Sequence, residues 1–401
     1  MITSGYRLVA ERVLSPHGWL TPGAVLIDGG LIRDVGEPAA VGDAAPSVVL
    51  GDCSLVPGFV DLQVCGFAGV DFANAEAPDY NEIGPKLAAS GVTAYCPAVV
   101  SMPWNRYPQI LTSLANAMAH RAPGHPRILG AHLEGPALSR HRPGVHDPEW
   151  FVAPGRVIEL VDRVPEVVRL VTLAPELADA QSTIRELRER GVHVALGHTE
   201  ATFEETNAAA AAGAGLVTHL FNAMTPLHHR APGTVGAALT NPRLRASVIA
   251  DGDHVHPAVF QLAFAALGEG RLVLTTDATA ATQMPPGHYP LGTATIETNL
   301  TGAPRDHDGV LSGSVLTMDE AVRNAVRWGA STAEAIRMAS TTPAATLDLA
   351  GTGQIAPGAL ADLVVLDAGL SVLATICGGV VAFDRDVRFA RLPDVSGPRG
   401  S

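Results

Sequence analysis

The sequence predicts an α/β fold: a (β/α)8 TIM-like barrel with a small β-sandwich domain built from both chain ends. Three observations carry that expectation. Eight short apolar runs recur through the middle of the chain. Segments with helical patterning separate most of them, the rhythm of parallel strands joined by crossover helices. Outside that rhythm, both ends of the chain carry short β-rich runs bounded by turn residues.

The amino-terminal part reads as strands at Arg7-Leu8-Val9, Ala24-Val25-Leu26-Ile27, Leu31-Ile32 and Val48-Val49-Leu50, with Gly29-Gly30 as a hairpin signal. The same character returns at Ala361-Asp362-Leu363-Val364-Val365-Leu366-Asp367 and from Val372 to Phe383. The two ends together, residues 1–53 and 354–401, are expected to form one β domain, with a hydrolase-type barrel over 54–353 inserted between them. The Pro-, Gly- and Ser-rich tail after Leu392 is expected to be loose.

Barrel strands are expected at 55–64, 92–100, 128–134, 167–173, 192–197, 216–220, 246–250 and 272–276. Among the intervening helices, 202–213 is alanine-rich and stops at a glycine. Residues 257–267 follow, and 314–328 sets Val315, Met318, Val322 and Val326 near one face.

Composition narrows the function. The chain has 401 residues, 47% of them hydrophobic, enough for a large core. Its net charge is −13 and its only lysine is Lys86. That balance excludes the basic footprint of a nucleic-acid binder and leaves anionic small molecules to local clusters of Arg and His. Cys53, Cys65, Cys96 and Cys377 are scattered, without a C-x-x-C pair, as in a reducing cytoplasm. Arg7, Glu11 and Arg12 interrupt the first stretch, so no signal peptide is expected. No apolar run reaches the roughly 18 residues of a membrane span.

The chemistry sits at strand ends. Gly130-Ala131-His132-Leu133-Glu134-Gly135-Pro136 follows an apolar run and ends in a turn. A carboxylate there needs a partner, and a metal ion is the simplest. His198 in Leu196-Gly197-His198-Thr199 and His219 in Thr218-His219-Leu220-Phe221-Asn222 supply two further ligands. Three protein ligands and one water make the catalytic pattern for one divalent ion, zinc foremost and iron, cobalt or manganese in the same class. Asp277, in Thr276-Asp277-Ala278, remains free to move a proton, its alternative being a turn or cap residue. All four fall at C-terminal strand ends, where barrel enzymes place their chemistry.

His146 lies in the loop after the third strand, either touching substrate or solvated. Arg230 and His254 could clamp an anion, the plainer alternative being a rim arginine and a turn histidine. Asn222 and Ala223 stand where an amide and a backbone N–H could hold a sugar hydroxyl or a phosphate. His120, His125, His141, His193, His256, His288 and His307 have no such placement. The first strand carries Gln63 and Cys65 where many metallohydrolase barrels have His-x-His. Lys86, in a helix, cannot bridge two metals, so one ion is expected.

Pro57-Gly58-Phe59-Val60-Asp61, Gly130 to Pro136, Gly197-His198-Thr199, Thr218 to Met224, Arg230-Ala231-Pro232-Gly233, Asp251-Gly252-Asp253-His254-Val255, Thr276-Asp277-Ala278, Ser312-Gly313-Ser314 and Ala361 to Asp367 occur in one order. This ordered set resembles the amidohydrolase superfamily, and within it the deacetylases of N-acetylglucosamine 6-phosphate. The resemblance implies hydrolysis of an acetamide to an amino-sugar phosphate and acetate. It implies Glu134, His198 and His219 as metal ligands, Asp277 as acid/base and His146 at the acetamido carbonyl. It also implies His254 and Arg230 on the 6-phosphate, with Arg230 reaching a neighbouring subunit's site in a homodimer. Gln63 is found in single-metal members, where it helps position the site; Cys65 departs from the common pattern on the first strand, and Ala137 and Arg142-Pro143 depart from it near the substrate. A galactosamine epimer, an unphosphorylated sugar, or a non-catalytic sugar-phosphate binder are the alternatives.

Overall fold

Pro57-Gly58 is where the chain passes from one domain to the other. The single strand expected over 55–64 divides there: Ser54–Pro57 belongs to a sheet of the end domain and Phe59–Val64 to the barrel. A Cβ on Gly58 would sit 2.2 Å from Thr93 Oγ1, so only glycine lets the backbone cross at this point. The unbroken apolar run hid the division.

The computed structural model describes residues 5–42, 46–299 and 302–389. The tail expected to be loose after Leu392 lies outside them.

Two sheets form the end domain. One orders Leu31–Gly36, Gly23–Asp28, Tyr6–Ala10 and Ser47–Val49. The other orders Val380–Asp384, Val372–Cys377, Leu363–Leu366, Ser54–Pro57, Arg12–Ser15 and Gly18–Leu20, so both chain ends share it. Tyr6, Leu8 and Ala10 alternate inward along their strand. They join Val13, Val25, Ile27, Leu55, Leu363 and Val365 in one apolar core between the sheets. Asp28 pairs with Leu31 across Gly29 and Gly30, whose φ values of +58° and +77° make the two-residue turn that the Gly-Gly signal implied.

The barrel strands are Phe59–Val64, Val92–Val99, Ala131–Glu134, Val168–Leu173, His193–Leu196, Leu216–Val217, Arg245–Ile249 and Leu272–Thr275, each parallel to the next. The expected 128–134 strand breaks at Gly130, whose φ is +120°, and the expected 216–220 strand ends at Val217. The ring closes between last and first strands: Asp277 N–H donates to Gln63 O across 3.0 Å and Cys65 N–H to Ala278 O across 2.8 Å. Closure therefore brings the Gln63 and Asp277 positions together. Ala94, Cys96, Leu170, Ala195, Leu216 and Val273 form a buried apolar cluster with Ala344 and Leu347.

Helix limits follow local chemistry. Phe203–Ala212 starts at a reciprocal cap, with Glu205 N–H on Thr202 Oγ1 and Thr202 N–H on the Glu205 carboxylate, and stops at Gly213. Pro257–Leu267 runs as expected, while the expected 314–328 helix is confined to Met318–Arg327. A hairpin of Gly287–Leu291 and Ala294–Thr298, which the sequence did not announce, follows the last barrel strand.

Candidate metal centre and active-site cavity

Glu134 ends its strand, and His198, His219 and Asp277 each lie two residues past the end of theirs. The latter three turn there through positive φ, +48°, +29° and +52°. A non-glycine residue in that region stores about 1–3 kcal/mol of strain and persists only where surrounding contacts hold it. Three such residues around one barrel rim mark a functional site.

Their side chains converge. Glu134 Oε1 lies 2.9 Å from His219 Nε2 and 3.2 Å from His198 Nε2, and the two Nε2 atoms are 3.2 Å apart. His198 Nδ1 donates to the Arg142 carbonyl across 2.9 Å. A carbonyl only accepts, so Nδ1 carries the proton and the neutral ring presents its Nε2 lone pair to Glu134. Burial pushes His198 down to about 4, which keeps the ring neutral. Burial alone would raise Glu134, but the imidazoles of His146, His198 and His219 packed against it outweigh that and hold the carboxyl well below its usual range. Electron-pair donors this close suit a shared cation. Ligands at about 2.0–2.2 Å around a tetrahedral ion stand about 3.3 Å apart, so Glu134, His198 and His219 fit a divalent metal.

Asp277 stands beside this set. Gln63 Nε2 donates to Asp277 Oδ1 across 3.0 Å and to Glu134 Oε1 across 2.9 Å. Thr218 Oγ1 donates to Gln63 Oε1 across 2.8 Å, which fixes the orientation of the amide. Cys65 Sγ lies 3.3 Å from the same Asp277 oxygen. Burial raises Cys65, so it is a thiol donor. Burial, then the charge of Glu134, raises the Asp277 carboxyl above its usual range.

His146 is buried with its Nε2 3.5 Å from Glu134 Oε2. Its Nδ1 accepts the Ser101 backbone N–H across 3.0 Å, so the neutral ring carries its proton on Nε2, facing the site. His254 Nδ1 donates to the Asp251 carboxylate across 2.6 Å, which leaves Nε2 for other partners.

One cavity of about 560 Å³ gathers Glu134, His146, His198, His219, Asn222, Ala223, His254 and Asp277. Arg230 is not in it: the side chain is exposed and one guanidinium N–H meets His229 Nε2 across 2.7 Å. The clamp of Arg230 with His254 is therefore not made within one chain. Arg142, His141 and Arg305 line the cavity instead. His141 had no strand-end placement, and Arg305 lies in a hairpin whose only sequence mark is the Asp306-His307-Asp308-Gly309 turn. Gln63 stands where many such barrels have a histidine, and its bridging of two carboxylates needed the closed ring to be seen.

The model of the Amidohydrolase family matches residues 54–383. The chain is 40% identical over 371 residues to the N-acetylgalactosamine-6-phosphate deacetylase of Escherichia coli O157:H7, covering 91% of this chain and 96% of that protein. It is 36% identical over 380 residues to the N-acetylglucosamine-6-phosphate deacetylase of Vibrio furnissii, covering 94% of each. A mutant N-acetyl-D-glucosamine-6-phosphate deacetylase from Mycobacterium smegmatis, solved in complex with N-acetyl-D-glucosamine-6-phosphate, matches with a TM-score of 0.89 at 36% identity, covering 94% of this chain and 99% of that one.

Proposed function

The chain belongs to the amidohydrolase family, and from that premise we propose that it hydrolyses the acetamide of N-acetyl-D-glucosamine 6-phosphate to D-glucosamine 6-phosphate and acetate. The observation that carries this reading is the meeting of three metal-donor atoms, Asp277 and His146 around one cavity. Relatives 36% identical over most of the chain are named for that reaction.

Glu134, His198 and His219 hold one divalent ion, zinc first, with iron, cobalt or manganese as alternatives of the same donor class. Such an ion, when bound, polarises a carbonyl and lowers the pKa of water beside it towards neutrality. The Gln63 amide nitrogen donates to both Glu134 and Asp277, which supports one ion per subunit.

Asp277 takes the proton of the attacking water on Oδ2, because Oδ1 is engaged by Gln63 and Cys65. A carboxylate with a raised pKa is the stronger base and keeps the proton until the amine departs. His146 donates its Nε2–H to the carbonyl oxygen as negative charge develops there. Asp277 then protonates the leaving nitrogen. Asn222, whose Nδ2 donates to the His219 and Leu220 carbonyls, accepts from a sugar hydroxyl through Oδ1, and the Ala223 backbone N–H holds a sugar or phosphate oxygen. His254 and the partner subunit's Arg230 hold the 6-phosphate. Support for a homodimer comes from an exposed 226–231 segment, in which Leu227 is 53% exposed and Arg230 does not line its own chain's cavity.

Four buried, unpaired cysteines fit the reducing cytoplasm as its location. No described helix is long and apolar enough to cross a membrane.

Amine release from N-acetylglucosamine 6-phosphate and from N-acetylglucosamine, side by side on metal-replete protein, tests the reading. Fast turnover of the phosphorylated sugar alone is expected; turnover of neither contradicts it. The galactosamine epimer is the second reading, favoured by the 40% identity to a relative named for it. The same assay on both epimers separates the two.

A further inference from the structure

Within one chain, the anion site of the cavity has His254 but lacks Arg230. Another guanidinium, that of Arg305, lines the same cavity. The Arg305 backbone is paired on both sides: its N–H donates to Glu297 O across 3.1 Å, its carbonyl accepts the Glu297 N–H across 2.8 Å, and it pairs with Leu311 on its other side. One guanidinium N–H donates to Gly309 O across 2.8 Å. No carboxylate of a described residue pairs with it. In a chain of net charge −13, an arginine at a cavity wall without an acidic partner is a place for a ligand's charge.

The hairpin that carries Arg305 is tied to the site at both ends. Before it, Ala303 N–H donates to Asp253 Oδ2 across 2.7 Å, next to His254. After it, Ser314 N–H donates to Asp277 O across 2.8 Å. Arg305 and His254 thus rest on loops bonded to each other, and both reach one cavity. A guanidinium has five N–H donors in a planar fork suited to phosphate oxygens, and among the described residues only Gly309 engages one of them.

We propose that Arg305 binds the 6-phosphate of the substrate from within the same chain, beside His254, and is a specificity-determining residue. This rests on the sugar-phosphate reading of the cavity given above.

The test uses Arg305→Gln and Arg305→Lys in the metal-loaded full chain. The side chain is exposed, so an unchanged Tm is expected. For N-acetylglucosamine 6-phosphate, Arg305→Gln is expected to raise KM about 10–100-fold, the loss of hydrogen bonds to a charged group. The kcat should stay within about 3-fold and Arg305→Lys should recover part of the loss, because the charge remains while the fork is lost. The kcat/KM for unphosphorylated N-acetylglucosamine should not change. An equal loss on both sugars, or none on either, overturns the proposal. Should the wild-type protein turn over no hexosamine 6-phosphate, the functional reading has failed, and Arg305 is then judged by calorimetric binding of inorganic phosphate. Binding to wild type that Arg305→Gln weakens about 10-fold or more upholds it; absent or equal binding overturns it.

Discussion

Gln63 and Asp277, from the first and last strands of the barrel, meet through a 3.0 Å hydrogen bond, and the same amide nitrogen donates to Glu134 across 2.9 Å. One neutral donor thereby holds two buried carboxylates in a fixed relation while keeping their charges apart. A glutamine that orients a metal ligand and a proton carrier acts through both. Gln63→Leu, of similar volume, is expected to lower kcat about 10–100-fold in a folded protein. Turnover and bound metal measured on one sample check it.

His146 is set to donate from Nε2 by the Ser101 N–H on its other nitrogen. His146→Ala removes a donor aimed at developing charge, so kcat should fall about 10²–10³-fold with KM changed much less. Steady-state kinetics reads the split; a loss confined to KM contradicts the role.

A chelator should abolish turnover and lower the Tm, because the ion binds only the folded donor set. At a free concentration a hundred times its Kd, an ion adds about 2.7 kcal/mol of stability. Calorimetry of stripped and reloaded protein measures this. Glu134→Gln, which removes the one carboxylate of the set, should lose most of that increment.

Arg230 gives a test of shared sites. Arg230→Ala and Asp277→Asn should each be weak alone at low substrate. A mixed dimer holds one site with both residues intact, so co-refolding the two variants should restore activity up to about a quarter of wild type, by binomial pairing and one good site in each mixed dimer. No recovery contradicts the exchange of Arg230.

Much of this site was legible because barrel enzymes put chemistry at strand ends, and Glu134, His198, His219 and Asp277 each follow an apolar run. Their convergence follows from the parallel ring, which one-dimensional patterning implies. The contacts of Gln63 and the place of Arg305 were not legible for the opposite reason. Gln63 matters only once ring closure sets the first strand beside the last. Arg305 reaches the cavity through a hairpin anchored by Asp253 and Asp277, contacts that span about 50 and 40 residues of chain in the sequence numbering. The division at Pro57-Gly58 was hidden because both domains bury the same run of apolar residues.

His193 offers a pH test away from the site. Its Nδ1 accepts a guanidinium N–H of Arg188 across 2.9 Å. Burial, then the charges of Arg188 and Arg169, push it down to about 4. A histidine whose folded pKa lies below its unfolded value contributes fully above about pH 6.5, and that stability is lost as pH falls towards 4. With the imidazole only 11% exposed, about 1–3 kcal/mol is expected over that window. His193→Gln should flatten this part of the pH dependence, measured by urea unfolding at pH 7.5 and 5; an unchanged slope contradicts it.

The most direct test of the account is turnover and metal content of Asp277→Asn, measured together. The account predicts a folded protein that retains its metal on Glu134, His198 and His219 and loses about 10²–10⁴-fold in kcat, the contribution of a positioned proton carrier. Near-normal turnover would contradict the role of Asp277, and loss of the metal with the activity would make Asp277 a ligand instead.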